Sequence, residues 1–232
     1  MSRIAQNLKN IARRIETAAE LAGRDARAVG VLAVSKTHSI DKIREAYAAG
    51  LTRFGESYVQ EAIPKIKALN SLPLEWHFIG PIQSNKTRDI AAYFDWAQSV
   101  DRLKIATRLN EQRPVKLKPL NICIQINISL ETGKSGIVQQ ALHEFAEQLM
   151  PLRRLKLRGL MAIPQKTSDA RQQRAYFAKL RRLFDDLNQE GYQLDTLSMG
   201  MTEDLEAAVM EGSTLLRIGS GLFGARGGYI GK

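Results

Sequence analysis

Cysteine is almost missing from this 232-residue chain, with Cys123 its single representative. One cysteine excludes an internal disulfide and a cysteine-rich metal site. A chain without disulfides suits a reducing cytosol, so a cytoplasmic location is expected. No run of apolar residues is long enough to span a bilayer, so no membrane partner is expected either. Also missing are a Pro- or Gly-rich linker, an internal repeat and a low-complexity segment, any of which would divide the chain. Long basic tracts are absent too. Lys and Arg outnumber Asp and Glu by 34 to 24, for a net charge of +10, yet they form nothing longer than pairs such as Arg153–Arg154 and Arg181–Arg182. Positive charge dispersed in this way reads as a solvated surface that also attracts small phosphorylated ligands, and nucleic acid is not an expected partner.

What is present is an ordinary globular composition, 44% hydrophobic and 25% charged, patterned as alternating strand and helix. The first 28 residues form a helical segment: Ile4, Leu8, Ile11, Ile15 and Ala18 recur at spacings of four and three with charges between them. Eight short apolar runs follow, at Val29–Lys36, Arg53–Glu56, Glu75–Gly80, Phe94–Val100, Asn121–Ile128, Lys156–Ala162, Thr196–Gly200 and Leu215–Ser220. Amphipathic stretches separate them. Ser39 is suited to cap a helix that stops at Gly50, Ser168 one that stops at Gly191, and Thr202 one that stops at Gly212. Strict alternation requires a parallel sheet with helical crossovers, and eight units can close on themselves. The expected architecture is an α/β (β/α)8 TIM-type barrel. It forms one domain over residues 1–232, with an extra N-terminal helix and a short tail at 227–232.

In such a barrel, function gathers where the strands end. The first strand finishes Ala33-Val34-Ser35-Lys36, which carries an amine to the low-dielectric mouth. Desolvation there favours the neutral form, and a neutral amine condenses with an aldehyde. His77 alternates in facing with Trp76 and Phe78 and so points into the barrel. Gly133-Lys134-Ser135 imitates the end of a phosphate-binding P-loop, but Ile128 stands where that motif needs glycine. The seventh strand runs into Ser198-Met199-Gly200-Met201-Thr202 and the eighth into Arg217-Ile218-Gly219-Ser220-Gly221. Backbone N–H groups converging in such turns suit a phosphate, provided that Glu203 and Asp204 turn away from it. A lysine facing a phosphate cradle fits a phosphorylated aldehyde such as pyridoxal 5′-phosphate (PLP); it fits a phosphosugar aldolase equally.

Longer motifs carry a family resemblance. They are Leu32-Ala33-Val34-Ser35-Lys36, Phe54-Gly55-Glu56, the run from Trp76 to Lys86, Gly159-Leu160-Met161-Ala162-Ile163-Pro164, Leu197-Ser198-Met199-Gly200-Met201 and Arg217-Ile218-Gly219-Ser220. In this order, and over nearly the whole chain to about Arg226, they resemble the pyridoxal-phosphate homeostasis family, relatives of the alanine racemase barrel domain. The resemblance implies PLP held as a Schiff base on Lys36, with Arg217 facing the pyridine nitrogen. It also implies phosphate contacts around Ser198, Met201, Thr202, Gly219 and Ser220. Ser57 and His77 complete the expected cofactor-binding set. Two positions depart from the family pattern: Ser57 stands where asparagine is usual, and Ser220 where threonine is usual.

The resemblance implies a role in vitamin B6 and amino-acid homeostasis without a well-established reaction, and apo-enzymes that take up the cofactor are its expected partners. The alternative is a PLP-dependent amino-acid racemase. Proton transfer on both faces of a substrate needs two bases. Lys36 supplies one, and the short sequence after the eighth strand offers no evident second.

Overall fold

The expected alternation closes on itself. In the computed structural model, which describes residues 2–224, eight parallel strands form a closed barrel in chain order, with the eighth paired to the first. The strands are β1 (Gly30–Val34), β2 (Arg53–Glu56), β3 (Glu75–Phe78), β4 (Trp96–Val100), β5 (Leu120–Ile126), β6 (Leu155–Ala162), β7 (Thr196–Ser198) and β8 (Leu215–Ile218). Helix α1 (Arg3–Leu21) precedes the barrel. A helix then follows every strand: α2 (Ile40–Ala48), α3 (Val59–Ala68), α4 (Thr87–Tyr93), α5 (Leu103–Gln112), α6 (Leu142–Leu149), α7 (Ala170–Gln189), α8 (Leu205–Met210) and α9 (Ser220–Phe223). The tail expected at 227–232 lies outside the described residues. No described helix is long and apolar enough to cross a membrane.

Two packing layers follow from the alternation of each strand. Ala33, Phe54, Trp76, Phe78 and Ala97 face outward into a core shared with helix residues such as Ile43, Ala62, Phe177 and Leu180. Trp96, Cys123 and Met161 form a separate cluster. The barrel interior is otherwise unusually polar. His77 stacks on Trp96, and Gln98 on β4 bonds to Ser198 on β7, a contact between non-neighbouring strands that crosses the barrel. Burial pushes the Cys123 thiol up to about 12, which makes it a packing sulfur rather than a nucleophile.

The helix ends correct two expected caps. Helix α2 starts at Ser39, whose side chain accepts from Lys42, and Gly50 beyond it has φ +100°. Helix α7 is capped by Asp169 rather than Ser168, the Asp169 carboxylate accepting from the Arg171 N–H. Helix α8 begins after Asp204, not Thr202. The Thr202 hydroxyl is engaged elsewhere, as acceptor for the Gly221 N–H.

Helix α1 packs against α8 and α9, beside the seam where β8 pairs with β1. Its Ile4, Ile11, Ile15 and Ala18 are buried. Its polar face holds the loops after β7 and β8: Arg14 donates to Glu206 and to the Thr202 carbonyl at 2.9 Å, and Asn7 donates to the Leu222 carbonyl at 2.8 Å.

Candidate functional site

The carboxyl ends of β1, β2, β3, β6, β7 and β8 surround a cavity of about 330 Å³, lined among others by Lys36, Ser57, Met201, Thr202, Arg217, Gly219 and Ser220. That size is within the range of small-molecule sites. Seven of the nine residues expected from sequence therefore line one cavity.

On the β1 side the chain turns sharply. Thr37, directly after Lys36, adopts φ +65°, a left-handed conformation that a β-branched residue takes only when its surroundings hold it there. The support is a buried ionic cluster. The Thr37 N–H donates to Glu61 at 2.6 Å, and Lys65 Nζ donates to Glu61 at 2.6 Å, to Glu56 at 2.9 Å and to the Ser35 carbonyl at 2.9 Å. The Ser35 hydroxyl completes it by donating to Glu56 at 2.7 Å. Burial pushes the Glu56 carboxyl above its usual value, against the opposing pull of Lys65 and Ser35. This cluster escapes a sequence reading that looks only at strand ends. Its one local signal is the i,i+4 pair Glu61–Lys65 on α3.

Opposite Lys36 lie the turns after β7 and β8. Gly200 has φ +93°, and a Cβ there would come within 2.4 Å of Ala208, so only glycine lets the chain leave β7 this way. The two turns are locked to each other. Gly221 packs so tightly on Thr202 that a Cβ would approach its methyl to 2.6 Å, and the Gly221 N–H bonds to the Thr202 hydroxyl. Glu203 stands at the exposed rim of the cavity, paired with Lys166 at 2.8 Å. Asp204 does not turn away: it lines the cavity, with Oδ1 accepting from the Met201 N–H at 2.6 Å. Burial raises its carboxyl above the usual range, while the Met201 N–H and the nearby Arg217 pull the other way.

Arg217 is buried, and burial lowers its guanidinium to about 10. It forms no salt bridge among the described residues. Nη1 donates to the Ser198 carbonyl at 2.6 Å and hydroxyl at 2.8 Å, and Nη2 to the Ala162 carbonyl at 2.8 Å. A buried cation satisfied by neutral oxygens leaves positive potential on the cavity wall that it lines.

The two remaining expected residues lie deeper. Ser198 faces the interior beneath Arg217. The His77 ring lies between Glu75 and Gln98, with Nε2 2.8 Å from Glu75 and Nδ1 2.8 Å from Gln98. Neither lines the mouth cavity. Lining residues that the sequence reading did not select include Val34, Ile79, the Ile163–Thr167 loop and Gln173. Gln173 anchors that loop by donating to the Thr167 carbonyl at 2.7 Å.

With this geometry in view, the comparisons with known proteins are specific. The chain matches the family profile of the alanine racemase N-terminal domain over residues 6–227. It is 58% identical over 226 residues to the pyridoxal phosphate homeostasis protein of Pseudomonas aeruginosa, with 97% of each chain covered. It is 49% identical over 229 residues to the Escherichia coli protein of that name, covering 97% of this chain and 98% of the other. Among solved structures, it resembles PipY of Synechococcus elongatus with PLP bound, at a TM-score of 0.80 and 38% identity, over 96% of this chain and 100% of PipY. An alanine racemase of Clostridium difficile is similar at a TM-score of 0.72 and 16% identity, over 98% of this chain and 58% of the racemase. That likeness concerns the fold alone.

Proposed function

This chain belongs to the pyridoxal phosphate homeostasis protein family, and on that premise we propose that its mouth cavity binds PLP as a Schiff base on Lys36. One observation carries the reading. An amine, a pair of interlocked hydroxyl- and glycine-bearing turns and a buried guanidinium surround one cavity of about 330 Å³, and PLP presents a matching aldehyde, phosphate and ring nitrogen.

Bound PLP supplies an aldehyde carbon that takes up amines and a ring that draws electrons from them. Lys36, held at its turn by the cluster beneath Thr37, is the amine that anchors it. Thr202 and Ser220, with the backbone around Gly219, receive the phosphate. Arg217 offers only donors, so it favours a ring nitrogen without a proton and weakens the ring as an electron sink. Such a site suits holding the cofactor and supports a role in homeostasis rather than turnover. Asp204 opposes a phosphate dianion by charge, and its bond to Met201 keeps that charge against an amide. On this reading the partners are the cofactor itself and apo-enzymes that accept it, and the exposed rim side chains Ile163 and Met201 leave the mouth open to them. The lone buried cysteine suits the expected cytoplasmic location.

The test is spectroscopic. Protein incubated with PLP and freed of excess is expected to show the visible absorbance of a protein-bound Schiff base. Lys36→Ala is expected to lose it while keeping the circular dichroism of the barrel, because the change removes a side chain of the mouth and not of the core. A variant that keeps the wild-type absorbance contradicts the reading.

A further inference from the structure

The barrel interior holds an unbroken chain of hydrogen bonds from the mouth to the opposite end. Arg217 Nη1 donates to Ser198 Oγ at 2.8 Å, and Ser198 Oγ donates to Gln98 Oε1 at 2.6 Å. Gln98 Nε2 donates to His77 Nδ1 at 2.8 Å, and His77 Nε2 donates to Glu75 Oε1 at 2.8 Å. Chemistry fixes its direction. A guanidinium has only donors and a carboxylate only acceptors, and with a neutral imidazole between them each link points one way. Ser198 accepts from Arg217 and must give its hydrogen to the Gln98 carbonyl. The amide then presents N–H to Nδ1, which leaves the imidazole hydrogen on Nε2 for Glu75. Flipping the amide would set the Gln98 carbonyl oxygen against the unprotonated Nδ1 and leave the Ser198 hydrogen without an acceptor in the chain. Burial holds His77 below its ordinary value, in keeping with this neutral tautomer.

Stability does not explain the chain. Barrel interiors are usually filled by branched apolar side chains, and replacing a buried polar network by such residues is often neutral or stabilising. Orientation does explain it. The backbone carbonyls of Ser198 and Ala162 hold Nη1 and Nη2 of Arg217, and the chain adds a side-chain acceptor for Nη1, Ser198 Oγ, whose own hydrogen is directed by Gln98. The far end lies at a separate surface recess, where Glu75 is 40% exposed and 3.5 Å from Arg53. The residues that hold Arg217 thus stand outside the cavity that it lines.

We propose that Glu75, His77, Gln98 and Ser198 are positioning residues that, together with the Ser198 and Ala162 carbonyls, hold the plane of the Arg217 guanidinium, and so set how strongly the site disfavours a proton on the nitrogen of a bound pyridine ring. The second half rests on the reading that Arg217 faces that nitrogen. This gives His77 a task without contact to the cofactor, and makes Gln98 the central link.

The experiment compares wild type, Gln98→Leu and Arg217→Glu by two measurements. In ligand-free protein, nitrogen-15 NMR reads rotation of the Arg217 guanidinium. Wild type is expected to give separate Nη signals, and Gln98→Leu a merged or displaced pair. In PLP-loaded protein, the pH midpoint of the visible absorbance is expected to move in Gln98→Leu by about one unit, in the same direction as in Arg217→Glu. Release of PLP is expected to accelerate roughly tenfold, the scale for losing an outer orienting partner. Gln98→Leu with wild-type Nη signals and a wild-type midpoint overturns the proposal. Merged Nη signals combined with an unchanged midpoint in Arg217→Glu leave the chain as the device that orients the arginine and overturn the contact with the ring. Should Gln98→Leu not fold, Glu75→Leu removes the last link from the half-exposed end. It is expected to move both readouts the same way, and wild-type values there overturn the proposal.

Discussion

At the scale of single residues, depth in the barrel decides what a side chain can do. Alternation along a strand shows facing, and it correctly turns His77 inward. Depth depends on the tilt and stagger of the whole barrel, which no local pattern records. His77 and Ser198 consequently lie below the cavity, whereas Lys36, Arg217, Gly219 and Ser220 line it. Gly219 separates ligand effects from folding effects. A Cβ there would meet Val34 at 3.5 Å, an ordinary contact, so Gly219→Val is expected to fold. The side chain should crowd the phosphate and weaken PLP binding roughly tenfold or more, while unphosphorylated pyridoxal is little affected. Absorbance titration with both ligands checks this, and equal weakening would put the phosphate elsewhere. His77 allows a second check. Because burial holds its imidazole below 6.5, the unfolded chain binds a proton there before the folded one does. Its contribution to stability is complete above about 6.5 and shrinks as pH falls toward the folded value. The stability difference between wild type and His77→Asn is expected to change by up to about 1.4 kcal/mol per pH unit in that window, measured by urea unfolding. A difference independent of pH would mean that His77 is not held neutral.

At the scale of elements, all eight strands were legible because each is a short apolar run between turn signals, and each pairs only with parallel neighbours. Their ends were less so. Lys36, Gly80, Gly200 and Ser220 continue the apolar runs in sequence but lie beyond the last strand residue, where the chain bends into the mouth. Caps were ambiguous for another reason. Ser168 and Asp169 are adjacent and both carry an oxygen able to accept from the first turn, and the choice between them depends on where the preceding loop is anchored. Apart from the i,i+4 pair Glu61–Lys65, the Glu56–Lys65–Glu61 cluster leaves no sequence signal, because it joins β2 to α3 under the turn after β1. Lys65 has a 7% exposed side chain with three acceptors. Lys65→Met would leave Glu56 buried without its cation, and is expected to destabilise the protein by about 3–5 kcal/mol. Chemical denaturation measures this, and a loss below about 1 kcal/mol would show the cluster to be a weak surface-like pair.

At the scale of the whole molecule, the extra helix α1 has a function that its amphipathic pattern does not disclose. Its apolar face completes the core, while Arg14 and Asn7 pin the loops after β7 and β8, the two proposed to receive the phosphate. The turn at Lys36 is held independently by the cluster under Thr37, and Arg217 by two backbone carbonyls and the chain through the barrel interior. Three separate supports therefore converge on one mouth, which suits the proposed holding of a cofactor in a fixed geometry. The net charge of +10 adds long-range attraction for a phosphorylated ligand. Lys36, the proposed attachment point of the cofactor, is the centre of this arrangement, and the proposal can be tested directly. PLP-loaded protein reduced with borohydride and digested is expected to carry the pyridoxyl group on the peptide containing Lys36, near one group per chain. Recovery of the label on Lys166 at the cavity rim, on Lys134, or on no lysine would contradict the assignment.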